Sequence, residues 1–307
     1  MKKFICQIIV FSLLFVLICT IPLVVFEKRA KDCTTRSPYS SVNFANNSKN
    51  IDADLIVIGN SRAECSYNDS ILSAMTGLKC VNLGWAGYPF DYQYNVMFKT
   101  YIKQNKKPKY IMVEVAPWAF FDYVNPIYII ELLPYINQPE FQFYVELCPE
   151  LSWIDKSLFV KYAGKLNKVR KELVLFKSPI HKTEKVNKRK WNSNYITGSC
   201  RLECDSAIIR VFNTFIDECL ENDIQLILIC SPIHLKDGAS HFDMDGFWKI
   251  INSSIKNKDI KILDYENLYG NDTLYFQDPM HLDDGYARDC FTKKVAHDLD
   301  SFGILQN

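Results

Sequence analysis

The chain has 307 residues, with 36 Lys and Arg against 35 Asp and Glu and a formal net charge of +1. That length holds one large α/β domain or two small ones, and so even a charge balance supplies no global attraction to nucleic acid. Hydrophobic residues make up 48% and aromatic residues 14%. That is more than a polar-surfaced soluble domain needs, and part of the excess lies at the N-terminus.

Residues 4–26 form an almost unbroken apolar run in which Gln7 is the only strongly polar side chain. At 1.5 Å per residue, a helix of this length crosses a hydrocarbon core roughly 30 Å thick. Lys2 and Lys3 precede it and favour a cytoplasmic N-terminus with an exported remainder, against the opposing pull of Lys28, Arg29 and Lys31. No small-x-small cleavage site follows, so residues 1–29 are expected to stay as an uncleaved transmembrane signal anchor. Cys19 follows Val16-Leu17-Ile18, a poor lipoprotein box, and lipidation is not expected. Residues 30–50, rich in Ser, Thr and Asn, read as a linker.

Residues 51–307 then read as one domain. The first strand, 54–58, carries the apolar run Leu55-Ile56-Val57-Ile58 of a buried parallel strand and breaks at Gly59-Asn60-Ser61. Ligands of open α/β sheets bind beyond the carboxyl ends of the strands. Ser61 is therefore a candidate nucleophile if a base reaches it; the alternative is that Asn60 or Ser61 only caps the next helix. Asn68 or Asp69 caps a short helix that Gly77 stops. A strand over 79–83 ends in Gly84-Trp85-Ala86-Gly87, an amphipathic helix over about 90–105 follows, and residues 110–115 form the third strand.

The rhythm lapses over about 117–204, which is expected to be a largely helical insertion, aromatic at first and basic from Lys161 to Lys190. Those charges are either a solvated helix face or a patch for an anionic surface such as lipid head groups. The pattern resumes with a helix over 205–222, a strand over 224–230 ending at Ser231-Pro232-Ile233-His234, a helix over 247–255, a strand over 260–263 and a last helix over about 286–302. The sum is an α/β fold: a doubly wound, mostly parallel five-stranded sheet in a three-layer sandwich, with an inserted segment and an N-terminal transmembrane helix.

The chain has eleven cysteines. Cys6 and Cys19 lie in the apolar run, and the odd remainder leaves disulfide content open. Cys200 and Cys204 have no second pair or histidine at zinc-ligand spacing, whereas Cys80, Cys219 and Cys230 fall in apolar patterns and read as core. The segment from His241 to Gly246 lacks the terminal glutamate of a calcium loop. No metal and no cofactor is expected.

A serine hydroxyl needs a base, usually a histidine oriented by a carboxylate. Of the five histidines, only His281 has an aspartate three residues before it, Asp278, and one turn of backbone can bring the two side chains together. The set Gly59-Asn60-Ser61, Val81 to Gly87, and Asp278-Pro-Met-His281 with Gly285 resembles the SGNH/GDSL hydrolase superfamily, from Asp52 onward except the insertion. It looks most like membrane-anchored members associated with acylation of cell-envelope glycans or teichoic acids.

The resemblance implies Ser61 as nucleophile, His281 as base, Asp278 as its orienting carboxylate, and an oxyanion hole from the N–H groups of Ser61 and Gly87, with Gly84 as the alternative. It implies an acylated glycan or other ester as substrate and a membrane-bound acyltransferase as partner; no nucleic acid is expected, because the charge is balanced and no aromatic–basic alternation points to it. One departure stands out. Where the family has an oxyanion-hole asparagine after the third strand, this chain has Val113 to Trp118 with no asparagine, and Trp118 stands near that position. Arg62, Trp118 and His234 are the candidates for substrate contact, Arg62 having pairing with an acidic neighbour as its alternative. An SGNH-fold scaffold without catalysis is the competing reading. A flavodoxin-like nucleotide-binding module is disfavoured because no glycine-rich phosphate loop follows the first strand.

Overall fold

The computed structural model of the protein describes residues 1–33, 39–121, 132–139, 161–162, 166–175, 204–283 and 285–303. Most of the basic insertion and Cys200 lie outside them. The chain divides into two compact units, Met1–Asn43 with Asn125–Thr183, and Phe44–Val124 with Glu184–Asn307.

The first unit is built on α1, Lys2–Lys31, a helix long and apolar enough to cross a membrane. Its apolar side chains stay exposed over the first turns and become buried at Leu23, Phe26 and Ala30. There the helix end is tied down by polar groups. Asn43 Nδ2 and Tyr135 Oη both donate to the carbonyl of Ala30, at 2.6 and 3.1 Å, which satisfies a helix-terminal acceptor that has no intrahelical donor. The stretch read as a linker contains a helix of its own, α2, Tyr39–Asn47.

The second unit carries the sheet. Strands β1 (Leu55–Ile58), β2 (Cys80–Asn82), β3 (Tyr110–Glu114), β4 (Gln225–Cys230) and β5 (Lys261–Asp264) are all parallel, in the order β2-β1-β3-β4-β5. This is the doubly wound architecture expected, and the point where strand order reverses lies between β1 and β3. Every residue of β1 and β3 is buried, as a strand covered on both faces must be.

Helices α3 (Ser61–Ser66), α4 (Asp69–Thr76) and α9 (Tyr286–Ser301) cover one face, where Ala63, Tyr67, Leu72, Phe291, Val295 and Leu299 pack on Leu55, Val57, Met112 and Ile229. The other face receives α5, residues 90–102, and α7, Ser206–Glu221, through a cluster of Phe90, Phe98, Phe212 and Phe215. Helix α5 runs Phe90–Tyr92, widens to a π-helical segment at Gln93–Phe98 and closes as Lys99–Ile102. Helix α6, Leu166–Leu175, belongs to the first unit and packs on α1; α8 is Met244–Ser254.

Helix starts follow local chemistry. Asn68, Asp205 and Asp243 each turn a side-chain oxygen onto free N–H groups of α4, α7 and α8. A short antiparallel hairpin, β6 (Phe276–Asp278) with β7 (His281–Leu282), was not anticipated from sequence. Its strands are too short to show an alternating pattern.

Candidate active site

The turn after β1 sets the site. Gly59 has φ +150°, and a Cβ there would lie 2.7 Å from Glu114 Cβ and 2.9 Å from Ala63 Cβ, so only glycine lets β1 meet α3 this closely. Asn60 then caps α3, its Oδ1 accepting from the Arg62 N–H at 3.1 Å. Capping therefore falls to Asn60, leaving the hydroxyl of Ser61 for another partner.

That partner is His281. Its Nε2 lies 2.7 Å from Ser61 Oγ, and its Nδ1 lies 2.8 Å from Asp278 Oδ1 and 3.1 Å from Oδ2. An ionised carboxylate only accepts, so Nδ1 carries the proton and Nε2 of the neutral ring is left to accept from the serine hydroxyl. The β6–β7 hairpin brings carboxylate and imidazole together, Asp278 pairing directly with His281. Asp278 Oδ1 also accepts the N–H groups of Met280 and His281 at 2.9 and 3.0 Å. Burial alone raises the Asp278 carboxyl, but the hydrogen bond from His281, the charge that ring carries once protonated, and these two N–H groups outweigh it and hold the carboxyl below its usual range.

The loop after β2 sits over α3. Asn82 Nδ2 donates to the carbonyls of Ala63 and Tyr67, at 2.8 and 3.0 Å, while its Oδ1 accepts the Gly84 N–H at 2.9 Å. The Trp85 N–H goes to the Gly59 carbonyl and the Ala86 N–H to Glu64 Oε2. Gly84 is thus spent as a donor. Its role is steric: a Cβ there would lie 2.4 Å from Glu64 N. Among the described residues, the N–H groups of Ser61 and Gly87 have no acceptor. Gly87 has φ +85°, the left-handed region that glycine adopts without strain.

Two candidates for substrate contact are turned inward. Arg62 is 1% exposed. Its Nε donates to Glu114 Oε1 at 3.0 Å and to Ser231 Oγ at 3.1 Å, and its Nη2 donates to the Ser231 carbonyl. The geometry favours the acidic-neighbour alternative, because a guanidinium with no exposed surface cannot meet a substrate anion. Glu114 also accepts from Tyr67 Oη at 2.6 Å and from Ser231 N and Oγ at 3.1 and 2.8 Å. Burial, then the charge of Glu114, pushes the Tyr67 phenol well above its usual value, so it remains a donor.

His234 is also buried. Its Nδ1 accepts the Asp237 N–H at 3.1 Å, and its Nε2 lies 3.2 Å from the Asn271 carbonyl. With both nitrogens engaged it builds a turn, and its own N–H holds the Pro279 carbonyl within the segment bearing Asp278 and His281. Trp118 alone of the three is half-exposed, in a 3₁₀ turn, Pro117–Phe120, just beyond β3.

No protein-family description matches the chain, and no curated protein does. Among solved structures, the chain is similar to a Bacteroides fragilis protein described as a "putative acylhydrolase". The two share 11% identity over 79% of this chain and 86% of the other, with a TM-score of 0.38. At that level the likeness carries nothing about chemistry.

Proposed function

We propose that the protein is a membrane-anchored serine ester hydrolase or O-acyltransferase of SGNH type, acting on a small acyl group of a cell-envelope glycan. One observation carries it: Ser61 Oγ, His281 and Asp278 stand in a continuous hydrogen-bonded line, with 2.7 Å between serine and imidazole and 2.8 Å between imidazole and carboxylate. The motif resemblance supplies the glycan and the membrane-bound acyltransferase partner, and the apolar α1 supports the anchor, with the sheet unit on the exported side.

In this reading His281 Nε2 takes the hydroxyl proton as Ser61 Oγ attacks the ester carbonyl carbon. Asp278 stabilises the imidazolium. The N–H groups of Ser61 and Gly87 receive the oxyanion. Collapse expels the alcohol, which leaves with the proton from His281 and an acyl ester on Ser61. Water, or a sugar hydroxyl, is then deprotonated by His281 and releases the acyl group as acid or as a new ester.

With no asparagine between Val113 and Trp118, this reading gives the hole two backbone donors, and loss of one donor typically costs about 10²–10³ in kcat. That supports a slow enzyme, and it is also the observation that favours the second reading, a non-catalytic scaffold. A fluorophosphonate probe applied to the full-length protein in detergent separates them. Wild type is expected to label at Ser61, Ser61→Ala not at all, and His281→Ala at least about 10³-fold more slowly. Labelling that survives Ser61→Ala overturns the nucleophile; a folded wild type that does not label is a scaffold.

A further inference from the structure

We propose that Trp118 is the wall that limits the acyl group accepted by Ser61 to short chains, and that Arg62, held by Glu114, positions that wall. This rests on the acyl-transfer reading above.

The sheet order supplies the geometry. Strand β1 lies between β2 and β3, so the loop carrying Gly87 and the turn carrying Trp118 flank Ser61 from opposite sides. A tetrahedral carbon on Ser61 Oγ has three other substituents. The oxyanion faces the N–H groups of Ser61 and Gly87, on the β2 side. The leaving oxygen must lie at His281 Nε2, from which it takes its proton. The acyl chain is left with the β3 side, where Trp118 stands.

The ring is fixed there. Arg62 Cζ lies 5.0 Å from its centroid, within cation–π range. Arg62 Nη1 is fully buried without a hydrogen-bond partner, so the indole face answers the part of the guanidinium that Glu114 and Ser231 leave over. On another side the ring meets Phe242, centroids 4.9 Å apart, and the cluster of Ile233, Ala239 and Met280. Met280 sits between Asp278 and His281 in the chain. Trp118 therefore touches the residue after the nucleophile and the cluster beside the base, and a large aromatic there leaves room for few methylenes.

The test is kcat/KM of the full-length protein on p-nitrophenyl acetate, butyrate and octanoate, alongside the fluorophosphonate labelling. Wild type is expected to favour acetate. Trp118→Ala should raise the octanoate-to-acetate ratio by about 10–100-fold, the scale on which apolar pockets discriminate chain length, with Trp118→Phe between the two. Labelling with a ratio unchanged in both variants, or a wild type that takes octanoate as readily as acetate, overturns the wall and leaves the nucleophile standing. A wild type that neither labels nor turns over any ester removes both. Trp118→Phe keeps an aromatic in the cluster, so the ratio stays readable if Trp118→Ala does not fold.

Discussion

Two ion pairs, one in each unit, show how differently the same chemistry is used. In the first unit Lys161 Nζ meets Glu27 Oε1 at 2.8 Å, with Tyr162 Oη on the same oxygen at 3.0 Å. In the second, Arg62 meets Glu114 at 3.0 Å. The Glu27 side chain is still 18% exposed, whereas Arg62 and Glu114 are 1% and 0% exposed. Desolvating two charges costs several kcal/mol per ion unless hydrogen bonds meet the remaining valences. Glu114 is met by Arg62, Tyr67 and both polar groups of Ser231, while Glu27 keeps some water. The first pair ties the end of α1. The second lies beneath the turn that carries Ser61 and links the ends of β1, β3 and β4 into one body, the preorganisation that the proposed nucleophile requires.

Breaking the pairs should expose that difference. Glu114→Ala leaves a guanidinium buried and unpaired and should cost about 3–5 kcal/mol. Glu27→Ala, where water reaches the site, should cost about 1–3 kcal/mol. Denaturant unfolding of the full chain in detergent measures both, and equal losses would erase the distinction.

A smaller effect concerns acid. The Asp278 carboxyl is held below its usual range in the folded protein. Its contribution to stability is therefore present above the unfolded value of about 3.9 and lost as pH falls through the folded value. The melting temperature of wild type minus that of Asp278→Asn should shrink as pH falls below about 4, where the carboxylate takes up its proton. A difference that keeps growing below about pH 4 would contradict the geometry. Smallest of all, Lys161→Met should leave fluorophosphonate labelling of Ser61 unchanged, since the Ser61 site is built wholly from residues of the second unit.

Much of this was legible because it is local. Apolar runs ending at Gly59 and Ser231 mark strands, Asn68 and Asp205 mark helix starts, and Asp278-x-x-His281 closes in a two-strand hairpin. The partners of Glu114 were not legible. Arg62 and Ser231 are far from it in the chain, and no periodic pattern reports which charges will face each other across strands. Arg62 reads as either a substrate contact or the partner of an acidic neighbour, because a lone arginine beside a candidate nucleophile looks the same in sequence whether it points out or in.

The sequence by itself determined the apolar helix, the α/β rhythm and the residue types available for acyl chemistry, since those follow from hydropathy, capping and spacing. Only the tertiary structure decided that Ser61 and His281, 220 positions apart, stand within a hydrogen bond, that Gly84 spends its N–H while Gly87 keeps its own, and that the Arg62 guanidinium lies over the Trp118 ring. Those outcomes depend on strand order and parallel register, which bring the ends of distant segments to one edge of the sheet, and no local stretch of chain carries that information.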